Sequence, residues 1–479
     1  MTKDIIVIGG GIVGCAVLDR LARSDVSVCL LEAGDDVAVG ATRANSGIVH
    51  AGYDCEPGTL KARFNVRGNA MTWALADELG VPALKCGSMV AAPAGGEEGL
   101  RELKRRADIN GVRAEILPRG RALEIEPALA EGVASVLYAP DGGVVSPYQM
   151  AIALADRAVV NGAEVVTEAR VISLTKEGGV FVVGTEKGVF RAKVVVNCAG
   201  AQASAVNAMV GAETFDTEFR KGEYFVLDHT ERENISTVIF PLPTAAGKGI
   251  LVAPTADGNV IYGPTSTPTF EDDTAVGAEG LDDIRRSVPL TYARPAFNKC
   301  IRVYCGVRTV VGHDFIVRPS DRVENLIITA GICSPGLTSA PAIAEYVEEL
   351  VGGMIPLVPK KAYVARPERA PRLADLSEEE LNALVKKDPR WGRIVCRCEK
   401  VTEAEIVAAV HSPVPARTVD AVKRRVRAGM GRCQGGFCAT RVMEIISEEL
   451  GIPMRDIRKG AGHSEIAVLA VREAEYDKI

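Results

Sequence analysis

The sequence predicts a mixed α/β and α+β protein in three parts. These are a discontinuous Rossmann-like nucleotide-binding domain, a mixed β-sheet domain inserted into it, and a small helical C-terminal domain with clustered cysteines. Three observations predict this. An apolar strand, a glycine-rich turn and a helix open the chain. Strands and helices of the same kind return after residue 141 and after residue 309, with β-branched, proline-containing stretches between them. Four of the 12 cysteines lie close together after residue 390.

Residues 4–8 form an apolar strand, residues 11–24 a helix and residues 26–32 a second strand. Residues 87–140 and 217–308 are rich in β-branched residues and turns, so they are assigned to the inserted sheet domain. Residues 164–199 alternate β-branched runs with turn signals, a meander leading into a strand at 194–197. A strand at 325–329 turns at Ala330-Gly331, and a helix runs from 339 to 351. The first domain is therefore assembled from residues 1–86, 141–216 and 309–358. Residues 359–389, opened by a proline-rich basic stretch, read as a linker; within it, Ser377 followed by three glutamates gives a capping-type helix start. Residues 390–479 form the cysteine domain and tail.

At 479 residues the chain has room for two or three domains. Its net charge of −6 leaves no nucleic-acid footprint. No apolar run is long enough to span a bilayer, and no signal-peptide pattern precedes the first strand. A cytoplasmic protein is the expectation, with peripheral membrane contact left open. Scattered single cysteines in apolar surroundings suit a reducing compartment, where a tight cluster points to metal rather than to disulfides.

Gly9-Gly10-Gly11-Ile12-Val13-Gly14 fits G-x-G-x-x-G in the required context of strand, turn and helix. Glycines let the backbone approach a pyrophosphate, and the helix N-terminus supplies N–H donors. Glu32 closes the second strand, where an acid holds ribose hydroxyls and repels a 2′-phosphate. Two later segments favour FAD over NAD. One is the buried strand ending in Asn197-Cys198-Ala199-Gly200. The other is Gly331-Ile332-Cys333-Ser334-Pro335-Gly336-Leu337-Thr338, where a helix N-terminus can face the N1/O2 edge of a flavin.

Cys396-Arg397-Cys398 and, 34 residues later, Cys433 and Cys438 provide four thiolates. Four can complete a tetrahedral zinc or a [2Fe–2S] cluster. The C-x-C pair is tight for a zinc knuckle. Gly429, Gly431, Gly435 and Gly436 leave main-chain N–H groups free to point at sulfur. The basic run Lys423-Arg424-Arg425-Val426-Arg427 can offset cluster charge, although most of it reads as a solvated helix face.

These motifs resemble a known combination. The dinucleotide turn, Ala44-Asn45-Ser46-Gly47-Ile48-Val49-His50-Ala51-Gly52, Lys221-Gly222-Glu223-Tyr224-Phe225, Tyr262-Gly263-Pro264-Thr265, Gly306-Val307-Arg308 and Ser334-Pro335-Gly336-Leu337-Thr338 resemble the D-amino-acid-oxidase-like FAD superfamily. Within it they are similar to the glycerol-3-phosphate dehydrogenase and L-2-hydroxyglutarate oxidase branch. Cys396-Arg397-Cys398 with Arg432-Cys433-Gln434-Gly435-Gly436-Phe437-Cys438 resembles the bacterioferritin-associated-ferredoxin-like [2Fe–2S] domain. The resemblance implies FAD contacts at Gly9, Gly11, Ile12, Val13, Gly14, Glu32, Ala33, Asn45, Ser46, Gly47, Val171, Ala199, Gly200, Gly331, Gly336, Leu337 and Thr338. It implies cluster ligation by Cys396, Cys398, Cys433 and Cys438. It also implies oxidation of a secondary alcohol, with Arg308 against the substrate; the family often has Pro-Leu next, whereas Thr309-Val310 stand here.

Such a reaction needs a base for the hydroxyl proton and a cation for the substrate anion. Among only five histidines, His50 is the first candidate base and His313 the second. Arg308 is the anion clamp, with Lys221, Tyr224 and Tyr262 as further substrate contacts. A small anionic hydroxylated substrate is expected, sn-glycerol 3-phosphate first. L-2-hydroxyglutarate or another 2-hydroxy acid comes next, and an amine or opine is a further alternative. The appended cysteine domain suggests single-electron exit to a redox partner, such as a second flavoprotein subunit. A non-catalytic electron-transfer or docking subunit is the alternative of another class.

Overall fold

The computed structural model describes residues 2–243, 247, 249–270 and 273–467. The first strand, Thr2–Ile8, pairs in parallel with Val28–Leu31 on one side and Gly188–Asn197 on the other. Val28–Leu31 passes the parallel ladder on to Glu164–Val166, and the end of Gly188–Asn197 passes it to Leu326–Ala330. A parallel sheet must be covered on both faces. The two-residue period divides the first strand accordingly. Ile5 and Val7 pack under the helices Ile12–Leu21, Pro147–Val160 and Gly336–Gly352. Ile6 and Ile8 pack on the other face with Phe181, Val183 and Val206.

The meander expected at 164–199 is the strand Glu164–Val166 followed by Val171–Glu177, Val180–Thr185 and Gly188–Asn197. The last of these has two roles. Its first half closes an antiparallel hairpin with Val180–Thr185, and its second half lies in the parallel sheet.

Among the described residues, the inserted domain is one mixed nine-stranded sheet. Ser88–Pro93 pairs antiparallel with Val133–Ala139 and parallel with Val238–Pro241, so the two sequence segments fuse into one sheet. Glu218–Leu227 pairs along its length with Cys300–Val310. That strand runs through the 308/309 boundary before the chain returns to the first sheet at Ile316–Pro319.

The C-terminal domain packs Glu403–Val410, Val419–Val426 and Ala439–Leu450 around Ile406, Val422, Met443 and Ile446. The segment following residue 358 is not a free tether. It is laced to the first domain by Asp25 N–H to Val358 O (2.7 Å), Lys360 N–H to Arg23 O (2.8 Å) and Arg369 to Leu79 O (2.9 Å). It also contains the helix Glu378–Lys387, started by a full Ser377/Glu380 capping box.

Candidate active site and cluster site

A cavity of about 2000 Å³ runs from the glycine turn, past residues 39–50, to the inserted sheet. A drug-sized ligand typically fills ~300–1,000 Å³, so this space suits an extended dinucleotide together with a substrate. At the turn, the first helix starts at Ile12, whose N–H is held by Thr42 Oγ1 at 2.9 Å. Gly14 packs helix against strand, since a Cβ there would lie 1.9 Å from Gly9 O. The Glu32 carboxylate accepts from Gly10 N–H (2.6 Å) and Gly34 N–H (2.7 Å) at the edge of the cavity. Burial pushes its pKa up, against the pull of those donors.

The loop at 41–47 is clamped to the inserted sheet. Tyr304 donates its hydroxyl to Asn45 O (3.0 Å) and stacks on Tyr224 with ring centroids 4.6 Å apart. Gly306 permits this approach, because a Cβ there would meet Ala44 O at 1.9 Å.

Two of the arginines that face the cavity from the inserted sheet stand together. Arg220 and Arg308 are direct cross-strand partners. Arg220 donates to Ser266 O (2.7 Å), and Arg308 to the neighbouring Thr265 O (2.8 Å). The buried Nε of Arg308 has no hydrogen-bond partner among the described residues. Like charges placed directly opposite are unfavourable. The pair is chemically suited to a multiply charged anion.

His50 also lines the cavity. Its Nε2 lies 3.2 Å from Ser334 Oγ, and its ring lies 5.9 Å from Phe240. Its main-chain N–H donates to Thr338 Oγ1 (2.9 Å), whose hydroxyl donates to Ile48 O (3.3 Å).

The four clustered cysteines stand as two pairs. Cys398 and Cys433 have sulfurs 3.6 Å apart, and Cys396 and Cys438 share a hydrogen bond. That bond holds Cys396 down to about 6. Main-chain N–H groups of Gly429, Glu399 and Cys398 reach Cys396, and those of Phe437, Gly435 and Gly436 reach Cys433. Two thiolates on one tetrahedral metal with ~2.3 Å bonds sit about 3.8 Å apart, so the observed spacing fits a shared metal. Among the described residues, no three Cys, His, Asp or Glu side chains converge on a single ion. Paired sulfurs with N–H donors suit a two-metal cluster better than one zinc.

The family model described as FAD dependent oxidoreductase matches residues 4–350. The chain belongs to the FAD-dependent oxidoreductase family. The model described as BFD-like [2Fe-2S] binding domain matches residues 394–448, so the oxidoreductase also carries a [2Fe–2S]-binding domain. It is similar to a glycerol 3-phosphate dehydrogenase from Caloramator mitchellensis, 42% identical over 95% of this chain and 96% of that protein. An L-2-hydroxyglutarate dehydrogenase from Escherichia coli is 32% identical over 56% of this chain and 65% of its own length. The solved structure of dithionite-reduced L-alpha-glycerophosphate oxidase from Mycoplasma pneumoniae with FAD bound superposes with a TM-score of 0.74. It is 26% identical over 78% of this chain and 100% of that one. The oxidoreductase has the fold expected from its sequence.

Of the expected FAD contacts, Gly9, Gly11, Ile12, Val13, Glu32, Ala33, Asn45, Ser46, Gly47, Val171, Ala199, Gly200, Gly336 and Leu337 line the cavity. Gly14, Gly331 and Thr338 do not. Gly14 serves helix packing, Gly331 turns the chain after its strand, and the fully buried Thr338 positions His50. Lys221 and Tyr262, expected as substrate contacts, do not line the cavity. Successive strand residues point to opposite faces, so Arg220, Gly222 and Tyr224 face the cavity while Lys221 and Phe225 face away. Lys221 pairs with Asp273 at 3.1 Å. Tyr262, the register partner of Phe225, packs on Tyr292 and Phe297. His313 is exposed beside the start of the helix Leu60–Glu78, with its carbonyl bound by Lys61 (2.8 Å), and lies outside the cavity. Arg220 went unnoticed in the sequence, although alternation from Tyr224 points to it. Ser334, within the segment read at 331–338, and Arg43, just before the motif at 44–52, also line the cavity.

The basic run at 423–427 is not a solvated face. Arg424 and Arg425 reach Asp36 at 3.0 and 2.7 Å, and Arg427 bridges Glu399 (2.7 Å) and Asp257 (3.1 Å). It rivets the C-terminal domain to the other two. Among the described residues, no helix is long and apolar enough to cross a membrane.

Proposed function

We propose that the protein oxidises sn-glycerol 3-phosphate to dihydroxyacetone phosphate, and that the electrons leave through the [2Fe–2S] site to a partner redox protein. The opposed Arg220 and Arg308 carry the substrate assignment. A phosphate dianion offers several oxygens to two forked donors and relieves their mutual repulsion. Glycerol 3-phosphate is also the substrate named for the relative aligned along nearly the whole chain.

When bound, FAD supplies the two-electron acceptor for the hydrogen on the substrate carbinol carbon. The remaining requirements fall to side chains. His50 Nε2 accepts the hydroxyl proton, with Ser334 Oγ as its neighbour. Thr338, in the first turn of the helix Gly336–Gly352, fixes the His50 main chain, so the loop that carries the ring is held against a rigid helix start. Arg220 and Arg308 anchor the phosphate, and Tyr224 stacked on Tyr304 walls the cavity. Cys396, Cys398, Cys433 and Cys438 would hold the cluster. Cys398 is exposed and Phe437 is 87% exposed, so the electron exit opens to solvent on that side.

Oxidation of L-2-hydroxyglutarate is the second reading, favoured by the 32%-identical dehydrogenase named for that substrate. An anaerobic panel of glycerol 3-phosphate, L-2-hydroxyglutarate, lactate and amino acids, read at the flavin absorbance band, separates the readings. Bleaching by glycerol 3-phosphate alone is expected. Bleaching by L-2-hydroxyglutarate in preference would overturn the assignment.

A further inference from the structure

The family match that contains the flavin fold ends at residue 350. The glycerophosphate oxidase with FAD bound is covered in full by 78% of this chain. Such a fold therefore holds its dinucleotide without a C-terminal iron–sulfur domain. Here that domain adds a wall to the same cavity. Asp420, Lys423, Arg424 and Lys459 line it together with Glu32, Asp35, Thr42 and Arg43.

The wall is built and held in place. Thr418 donates to Asp35 at 2.7 Å, and Arg424 and Arg425 grip Asp36, four residues past Glu32. Arg424 is only 4% exposed, and its buried Nε has no hydrogen-bond partner among the described residues. Arg302 of the inserted sheet, bound to Gln434 at 3.0 Å, also lines the cavity. Arg43, Arg302, Lys423 and Arg424 thus converge from all three domains. Acids are present too: Asp420 is engaged by Lys459 (2.8 Å) and Lys423 (3.9 Å), and Asp35 by Thr418 and Arg424 (3.9 Å). The cations nevertheless act on one another. Burial, then the nearby Arg302, brings Lys423 down to about 8, and burial with Arg424 lowers Arg43. Arg43 follows Thr42, which caps the first turn of the helix at Ile12, the end that faces a dinucleotide's phosphates.

We infer that the iron–sulfur domain completes the dinucleotide site: Lys423 and Arg424 join Arg43 and Arg302 in a cationic wall that binds a phosphate-bearing ligand, the diphosphate of FAD. The C-terminal domain therefore contributes to cofactor retention as well as to electron exit, and the nucleotide ties the domain to the flavin fold. A free phosphate anion shares this chemistry, and position decides between the two, because the wall adjoins the nucleotide turn rather than the Arg220–Arg308 pair.

The test uses the full chain with its flavin removed and FAD titrated back by fluorescence quenching at increasing NaCl. ADP serves as a second, flavin-free diphosphate probe. Lys423→Met and, separately, Arg43→Met are expected to weaken FAD and ADP about tenfold to a hundredfold, the range for one charge-assisted contact. Both are expected to flatten the salt dependence of FAD binding, and Lys423→Arg to restore it. FAD and ADP affinities within twofold of the parent in both Met variants would overturn the inference. So would a rise in the Tm of FAD-loaded protein with inorganic phosphate that Lys423→Met abolishes, because the wall would then hold a separate anion.

Discussion

Arg220 and Arg308 stand opposite each other on adjacent antiparallel strands, and their guanidiniums are tied to the carbonyls of the consecutive residues Ser266 and Thr265. The anchors fix both cations at the cavity despite their repulsion, an arrangement suited to an anion.

Replacing either arginine by Met should lower kcat/KM for glycerol 3-phosphate roughly a hundredfold, the loss expected when one member of a desolvated charged contact goes. The double variant should lose less than the product of the singles, because both act on one phosphate. Anaerobic stopped-flow bleaching of the flavin measures this. A single variant within threefold of the parent would remove that arginine from the anion site.

His50→Asn should leave flavin content intact and slow flavin reduction by about 10²–10⁴-fold, the usual contribution of a positioned base. Thr338→Val should act more weakly and in the same direction, since it disturbs His50 only through the main chain. A His50→Asn enzyme with less than a tenfold defect would make another group the base.

Cys398→Ser should abolish stoichiometric iron and sulfide while the flavin is still bleached by substrate. Turnover with a one-electron acceptor should then collapse. Unchanged turnover with that acceptor would mean that electrons leave directly from the flavin.

His229 binds Glu399 across the domain contact at 3.0 Å, and that hydrogen bond raises its pKa above the ordinary value. A histidine raised in the folded state adds stability that is complete below its unfolded pKa of ~6.5 and is lost as pH rises through the folded value. His229→Gln should therefore lower Tm at pH 6 and change it little at pH 9. Equal losses at both values would show that the pair does not titrate in this way.

Asp36 is 1% exposed and pairs with both Arg424 and Arg425. Asp36→Ala strands two buried cations and should cost about 3–5 kcal/mol. Thermal unfolding, with limited proteolysis of the C-terminal domain, checks this; an unchanged melting profile would make the contact dispensable.

Much of this was legible in local sequence. The glycine turn, Glu32 and the flanking strand and helix lie within one βαβ unit, where short-range geometry sets the outcome. The cysteine spacing and its glycines likewise specify a site through turns that place N–H groups on sulfur. Lys221 and Tyr262 fall outside the cavity because their motifs mark a region of sheet, and only strand phase tells one face from the other. Tyr224 and Lys221 cannot face the same cavity, and the same alternation leads from Tyr224 to Arg220.

The sequence by itself determined the cofactor chemistry, because dinucleotide and thiolate sites are built from contiguous turns. Tertiary structure alone decided which cations meet. The Arg220–Arg308 pair depends on the register of two distant strands, and the basic run at 423–427 became an interdomain rivet only when Asp36 and Asp257 were brought against it. Charge is written in the sequence, but its partner, and therefore its role, is set by packing.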